Sequence, residues 1–305
     1  MRITNQQQLA AAQRNIQSSR TLLAKLQEQA TTGRAITRPS DDPTATGSAM
    51  RVHTQLRAVE QYKTNIADGT AWLATVDAAL TSSEDLLRQA RDLMLQGSNT
   101  GVMTPTSREA IATQLDALRG DLLAQANTTY LGRTVFAGSS DSGVAFGPGT
   151  PDPDPAAPAP SPYTFTGAAG ATVTRRINDS ESVVVDADGA AAFGTGDDSV
   201  FALLERTAAD LRAGGDINPR VGELDQKRTA LTTQHAVIGT RYARMERASD
   251  ANLAQSTLLE TQRAGIEDVD PASVIIDLKS QEVAYQSALA VTARALQPTL
   301  LSYLS

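Results

Sequence analysis

The sequence predicts a mainly α protein: long antiparallel helical rods and paired terminal coiled-coil helices, with a small inserted β-rich domain. Three observations carry this. Apolar residues recur in alternating steps of three and four through both halves of the chain, which is the spacing of a coiled-coil seam. Between about 133 and 197 that rhythm gives way to Gly, Pro, Thr and Asp. The order of segments also reads the same from either end: terminal helix, break, rod, insert, rod, break, terminal helix.

The first helix spans 5–32, with Leu9, Ala12, Ile16, Ser19, Leu23, Leu26 and Ala30 on one face. Gly33 ends it by supplying a left-handed cap. The first rod, 43–97, repeats the pattern through Val59, Tyr62, Ile66, Gly69, Leu73, Val76, Leu80, Ser83, Leu87, Ala90 and Met94. At ~1.5 Å per residue it measures about 80 Å. After the turn "GSNTGVMTP", Thr104 caps a third helix with Pro105 at its first position. Ile111, Leu115, Leu118 and Leu122 give that helix its apolar face.

In the insert, "YTFTG", "ATVTRRI" and "SVVVDA" read as short strands, and "PGTPDPDPAAPAPSP" is too proline-rich for helix or central strand. With its ends at about 133 and 200 joining two antiparallel rods, the insert is expected to be dispensable for the fold. Asp197 or Asp198 is expected to cap the short helix that follows. The second rod starts at Pro219, with Leu224, Leu231, Ile238, Met245, Asn252, Leu259 and Ile266 seven residues apart. Asn252 either enters that seam and fixes its register or turns to the rim. "EDVDP" ends the rod at 267–271. The last helix, 272–304, aligns Ile275, Leu278, Tyr285, Leu289, Ala293, Leu296 and Leu300. The expected division is therefore 1–42 with 268–305 as a terminal helical assembly domain, 43–132 with 198–267 as a helical rod domain, and 133–197 as an outer domain.

The break "GRAITRPSDDP" concentrates turn chemistry in a chain that could have continued as one helix. Arg38 precedes Pro39 and is biased out of the helical region. Asp42 before Pro43 is an N-cap with Pro at the first helical position. Asp41 adds negative charge at the positive end of that helix. Gly33, Pro39, Asp41, Asp42 and Pro43 thus form a candidate hinge.

Composition narrows the function classes. The 305 residues are 41% hydrophobic but only 4% aromatic, which suits thin Ala- and Leu-lined helix contacts. A net charge of −7 argues against a duplex-binding surface, since nucleic-acid binders carry basic patches. The absence of Cys excludes thiolate metal sites and disulfides. His53 and His235 belong to no catalytic motif, and "DADG" at 186–189 lacks the remaining ligands of a calcium loop and reads as a turn. Neither an enzyme nor a cofactor is expected. No apolar run reaches the ~20 residues of a membrane span, and the opening "MRITNQQQLAAAQRN" has no apolar core of a secretory signal.

The first helix followed by "TTGRAITRPSDDPTAT" resembles the start of the flagellin superfamily, in the form carried by its hook-associated, hook–filament junction members. "AVIGTRYARME", "GIEDVDPASVIIDL" and the closing "LSYLS" resemble the other end of that family. The resemblance covers about 1–135 and 200–305; the insert resembles nothing. It implies a secreted structural protein of the bacterial flagellum, exported unfolded by the flagellar type III route and placed at the hook–filament junction. It implies paired terminal helices forming the inner tube of a hollow polymer. The implied partners are further copies in a ring, the other junction protein, flagellin and a flagellar export chaperone, with no nucleic acid and no membrane. The assembly residues are then Leu9, Ile16, Leu23, Leu26, Ile275, Leu278, Tyr285, Leu289, Leu296, Leu300 and Leu304. Alternatives are a flagellin filament subunit or a secreted coiled-coil effector.

Overall fold

The computed structural model describes residues 2–98, 103–148, 162–168 and 170–295. Helices α1 (Arg2–Thr32), α2 (Pro43–Ser98) and α3 (Pro105–Ala126) precede six strands of two or three residues. The strands are β1 (Thr129–Tyr130), β2 (Arg133–Thr134), β3 (Phe146–Gly147), β4 (Thr164–Phe165), β5 (Thr174–Arg176) and β6 (Ser182–Val184). Helices α4 (Gly189–Phe193), α5 (Val200–Ala213), α6 (Asn218–Glu267) and α7 (Pro271–Ala295) complete the chain. It packs as two units, one of residues 1–58 with 254–305 and the other of residues 59–253.

In the 59–253 unit the two rods meet along the heptad seams. Leu73, Val76, Leu80, Leu87, Ala90 and Met94 of α2 and Leu224, Leu231, Ile238 and Met245 of α6 are buried in one core. Burying one Leu contributes about 1.5–3 kcal/mol, and the contribution repeats along the rods. Gly69 sits where a Cβ would lie 2.5 Å from the Met245 Cε, so the glycine admits the Met side chain. Asn252 enters the seam rather than the rim: it is buried, and its Nδ2 donates to the Val59 carbonyl at 3.0 Å.

Helix α3 starts as its sequence dictates, with the Thr104 hydroxyl accepting from the Ser107 N–H. It packs against α5. The cap of α5 differs from expectation. Asp197 and Asp198 lie in a preceding 3-10 turn, and the Ser199 hydroxyl accepts from the Ala202 N–H. Ser199 is buried; its compact hydroxyl caps there without the cost of burying a carboxylate.

Among the described residues the insert is held by three two-stranded antiparallel ladders, β1–β2, β3–β4 and β5–β6. Tyr130 pairs with Arg133, Phe146 with Phe165, and Arg175 with Val183. The β1–β2 hairpin and β3 carry no alternating pattern long enough to reveal them in sequence. The structure also differs from a dispensable insert. Phe136, Phe146 and Phe193 are buried with Phe201 of α5, and ring centroids lie 5.1–5.9 Å apart. On α2, Trp72 lies 5.4 Å from Tyr130 and under the Arg175 guanidinium, whose Nε is 2.5 Å from Asp68 Oδ2. The few aromatic residues of this chain are concentrated where insert and rods share one core.

Candidate assembly interface

In the unit formed by 1–58 and 254–305, the two breaks pair with each other. Gly33 adopts φ +69°, a left-handed conformation that costs Gly little, and its N–H closes α1 on the Gln29 carbonyl. The next residues run antiparallel to the break before α7. Arg34 bridges to Asp268, the Ala35 N–H donates to the Glu267 carbonyl at 2.7 Å, and the Val269 N–H donates to the Gly33 carbonyl at 3.1 Å. A side-chain tie lies beside this bridge, where His53 Nε2 is 2.6 Å from Glu267 Oε1.

The carboxylates of the break have separate tasks. Asp42 accepts the Ala45 N–H at 2.9 Å and caps α2, with Pro43 at the first helical position. Asp41 folds the turn: its Oδ2 accepts the Arg38 N–H and the Thr37 hydroxyl, each at 3.1 Å. The Arg38 N–H is the main influence holding the Asp41 carboxyl below the ordinary carboxylate value. Pro39 is exposed within this turn. Across the bridge, Asp270 accepts the Ala272 N–H at 3.0 Å, and Pro271 opens α7.

Helices α1 and α7 then pack on one another. On α1 the seam is formed by Ala12, Ile16, Ser19, Leu23 and Leu26, all half-buried. On α7 it is formed by Val274, Leu278, Gln281, Tyr285, Ala288 and Thr292, of which Val274 is fully buried. Gln281 Nε2 donates to the Ser19 carbonyl at 3.3 Å. Of the residues singled out in sequence, the structure thus brings together Ile16, Leu23, Leu26, Leu278 and Tyr285. Ile275 and Leu289 stay exposed on α7, because the seam there runs through the neighbouring positions Val274 and Ala288. The Leu9 side chain and residues Leu296, Leu300 and Leu304 lie outside the described residues.

Helix α7 carries a second aliphatic stripe that sequence reading passed over. Ile276 and Val283 lie seven residues apart and are 68% and 64% exposed, with Val291 67% exposed. At 100° per residue Ile276 and Val283 fall on the face opposite the α1 seam, and Val291 lies about 80° round the helix from Val283. The heptad spacing of the stripe was present in the sequence, one position out of phase with the Ile275 set. Among the described residues there is no group of three side chains suited to a metal, and no helix is long and apolar enough to cross a membrane.

Residues 3–141 match the bacterial flagellin N-terminal helical region, and residues 221–304 match the bacterial flagellin C-terminal helical region. The chain belongs to the flagellin family. Similar members of the family have two kinds of name. The flagellar hook-associated protein 3 of Salmonella typhimurium is 24% identical over 314 residues, covering 94% of this chain and 95% of its own. The flagellin of Bacillus subtilis is 25% identical over 286 residues, covering 92% of each. Among solved structures, a putative flagellar hook-associated protein from Vibrio parahaemolyticus has a TM-score of 0.65 at 17% identity, covering 75% of this flagellin-family chain and all of that one. Bacillus cereus FlgL has a TM-score of 0.57 at 21% identity, covering 70% of this chain and 99% of that one.

Proposed function

We propose that this chain is the structural adaptor at the hook–filament junction of the bacterial flagellum. In this reading its terminal helices build the inner tube of a ring, the α2–α6 rods surround it and the insert faces outward. The carrying observation is the two-sided α7: one face packs on α1, and the opposite face leaves Ile276 and Val283 exposed. Isolated helices are marginal in water, and an exposed aliphatic stripe on one is a surface made to be covered. The junction reading is supported by the "RPSDDP" break and by the hook-associated relative that spans nearly the whole chain.

In this role the protein is secreted through the flagellar export route with the help of an export chaperone, and it contacts the other junction protein on one side and flagellin on the other. The role needs no enzymatic chemistry and no cofactor. A second reading, the bulk filament subunit, is favoured by the flagellin relative of similar identity. Electron microscopy of a strain lacking this gene separates the two. An adaptor leaves hooks without filaments while filament protein accumulates in the medium. Loss of filaments with no filament protein in the medium identifies a filament subunit, and normal filaments rule out both roles.

A further inference from the structure

We propose that a cavity between the insert and α6 is a binding site for a free α-amino acid with an apolar side chain. The site lies in the 59–253 unit, apart from the terminal helices, and does not depend on the adaptor role. Its volume is about 510 Å³, within the range of small-molecule pockets. Half of the lining residues are Gly or Ala, so backbone and short side chains leave the space open. The rest of the wall includes the rings of Phe136 and Phe165 and the charged residues Asp186 and Arg241.

The strands around β5 and β6 create this space. The Val185 N–H donates to the Val173 carbonyl at 2.8 Å and continues their ladder by one step. Beyond it the two segments part, because the Ala187 N–H donates to the Val135 carbonyl at 3.1 Å instead. On the other side Gly170 turns away with φ +74°, and a methyl group there would meet nothing within 4 Å.

Two opposite charges face the opening without closing on each other. Asp186 is only 4% exposed. Its Oδ1 accepts the Val173 N–H at 2.9 Å. Its Oδ2 lies toward Gly138, 3.4 Å from where a Cβ would stand. Arg241 reaches over from α6, but its Nη1 donates to the Asp186 main-chain carbonyl at 2.5 Å and not to the carboxylate. Among the described residues neither group is in an ion pair. Burial is the largest influence on both and opposes both charges, raising the Asp186 pKa and lowering that of Arg241. Asp188 makes no such demand, since it caps α4 by accepting the Ala191 N–H at 3.1 Å.

A buried charge without a partner is costly, and here one of each sign borders the same space. An anion would answer Arg241 and oppose Asp186; a cation would do the reverse. A zwitterion answers both: its carboxylate meets the guanidinium, its ammonium meets Asp186, and its apolar side chain covers the Phe136 and Phe165 rings.

Isothermal titration calorimetry of the purified full-length chain, with leucine and with phenylalanine, tests the site. At least one should bind with a Kd of about 1 mM or tighter. The des-amino acid and the carboxamide of that ligand each lack one charge, and each should bind at least about tenfold more weakly. Arg241→Gln should weaken the amino acid by a similar factor but the carboxamide by much less. Ala190→Leu fills the cavity from α4 and should abolish binding, with circular dichroism confirming that both variants are folded. No binding of either amino acid at ~10 mM, an analogue that binds as tightly as its parent, or undiminished binding by either folded variant overturns the site. The analogue series is read on the native chain, so it decides the matter even where a variant does not fold.

Discussion

Glycines show at single-residue scale how differently one residue type can be constrained. Gly138 has φ +61°, and a Cβ there would lie 2.0 Å from the Ala171 carbonyl oxygen, which belongs to backbone and cannot swing away. Gly138→Ala should therefore lower stability by about 2–4 kcal/mol, from overpacking and an unfavourable dihedral together. Gly120 lies exposed within α3, and a methyl group added there would meet nothing within 4 Å. Gly120→Ala should raise stability by about 0.5–1 kcal/mol through helix propensity. Urea denaturation of the two variants checks both signs. His235 supplies a pH dependence. Its Nε2 is 2.9 Å from Asp77 and its Nδ1 is 3.1 Å from Glu84. Burial is the largest single influence and disfavours the charged ring, but the two carboxylates together outweigh it and raise the pKa. A raised folded-state value means that the stabilisation is full below the unfolded value of ~6.5 and fades as pH rises through the folded value. The melting-temperature difference between wild type and His235→Gln should be largest near pH ~5.5 and shrink toward mildly alkaline pH. A constant difference across that range would show that the two ion pairs contribute nothing.

Elements begin and end here by local chemistry that depends on burial. Thr104 and Asp42 are exposed caps, and Ser199 is a buried one. Ser199→Ala removes the acceptor for the Ala202 N–H at a helix start enclosed by core, so it should cost about 1–2 kcal/mol. Asp198→Ala should change stability by less than about 0.5 kcal/mol, because Asp198 caps nothing and its carboxylate, though paired with Lys227, is mostly in solvent. Thermal melting of both variants tests which residue starts α5. The paired breaks show a longer-range device. Gly33 turns the chain out of α1; the Ala35 N–H then donates to the Glu267 carbonyl, and the Val269 N–H donates back to the Gly33 carbonyl. Two helix interruptions far apart in sequence thereby become one short antiparallel bridge.

For the molecule, two predictions separate folding from assembly. Replacing 136–197 with a short Gly/Ser linker removes Phe136, Phe146 and Phe193 from a core they share with Phe201 and the rods. Loss of one buried Phe costs about 3–5 kcal/mol, comparable to a large part of the stability of a typical domain. The shortened chain should melt at a much lower temperature, or lose its cooperative transition, in far-UV circular dichroism. Val283→Asp acts on the other side of the balance. Val283 is exposed in the single chain, so the monomer melting temperature should stay within about 2 °C of wild type, a change of less than ~0.5 kcal/mol. In an assembly that covers the stripe, the same carboxylate is desolvated without a partner, and the strain should export the protein yet build no filaments. Normal filaments on that strain would remove the stripe from the assembly surface.

The sequence by itself determined the seams of the rods, most helix ends and the mirrored order of segments, because those depend on spacing and on capping within a few residues. The seam positions read in α2, from Val59 to Met94, are buried apart from Tyr62, which is half-buried and bonds Asp179. Tertiary structure decided which of two overlapping stripes on α7 faces α1, that Ser199 rather than an Asp caps α5, that the two breaks bridge, and that the insert completes the core of the rods. The physical reason is common to all four. Periodicity shows that a face is apolar, and turn residues show where a helix can stop, but neither says which distant surface will cover that face. Ile275 and Val274 are adjacent and both aliphatic; only the tertiary packing buries Val274 and leaves Ile275 in solvent.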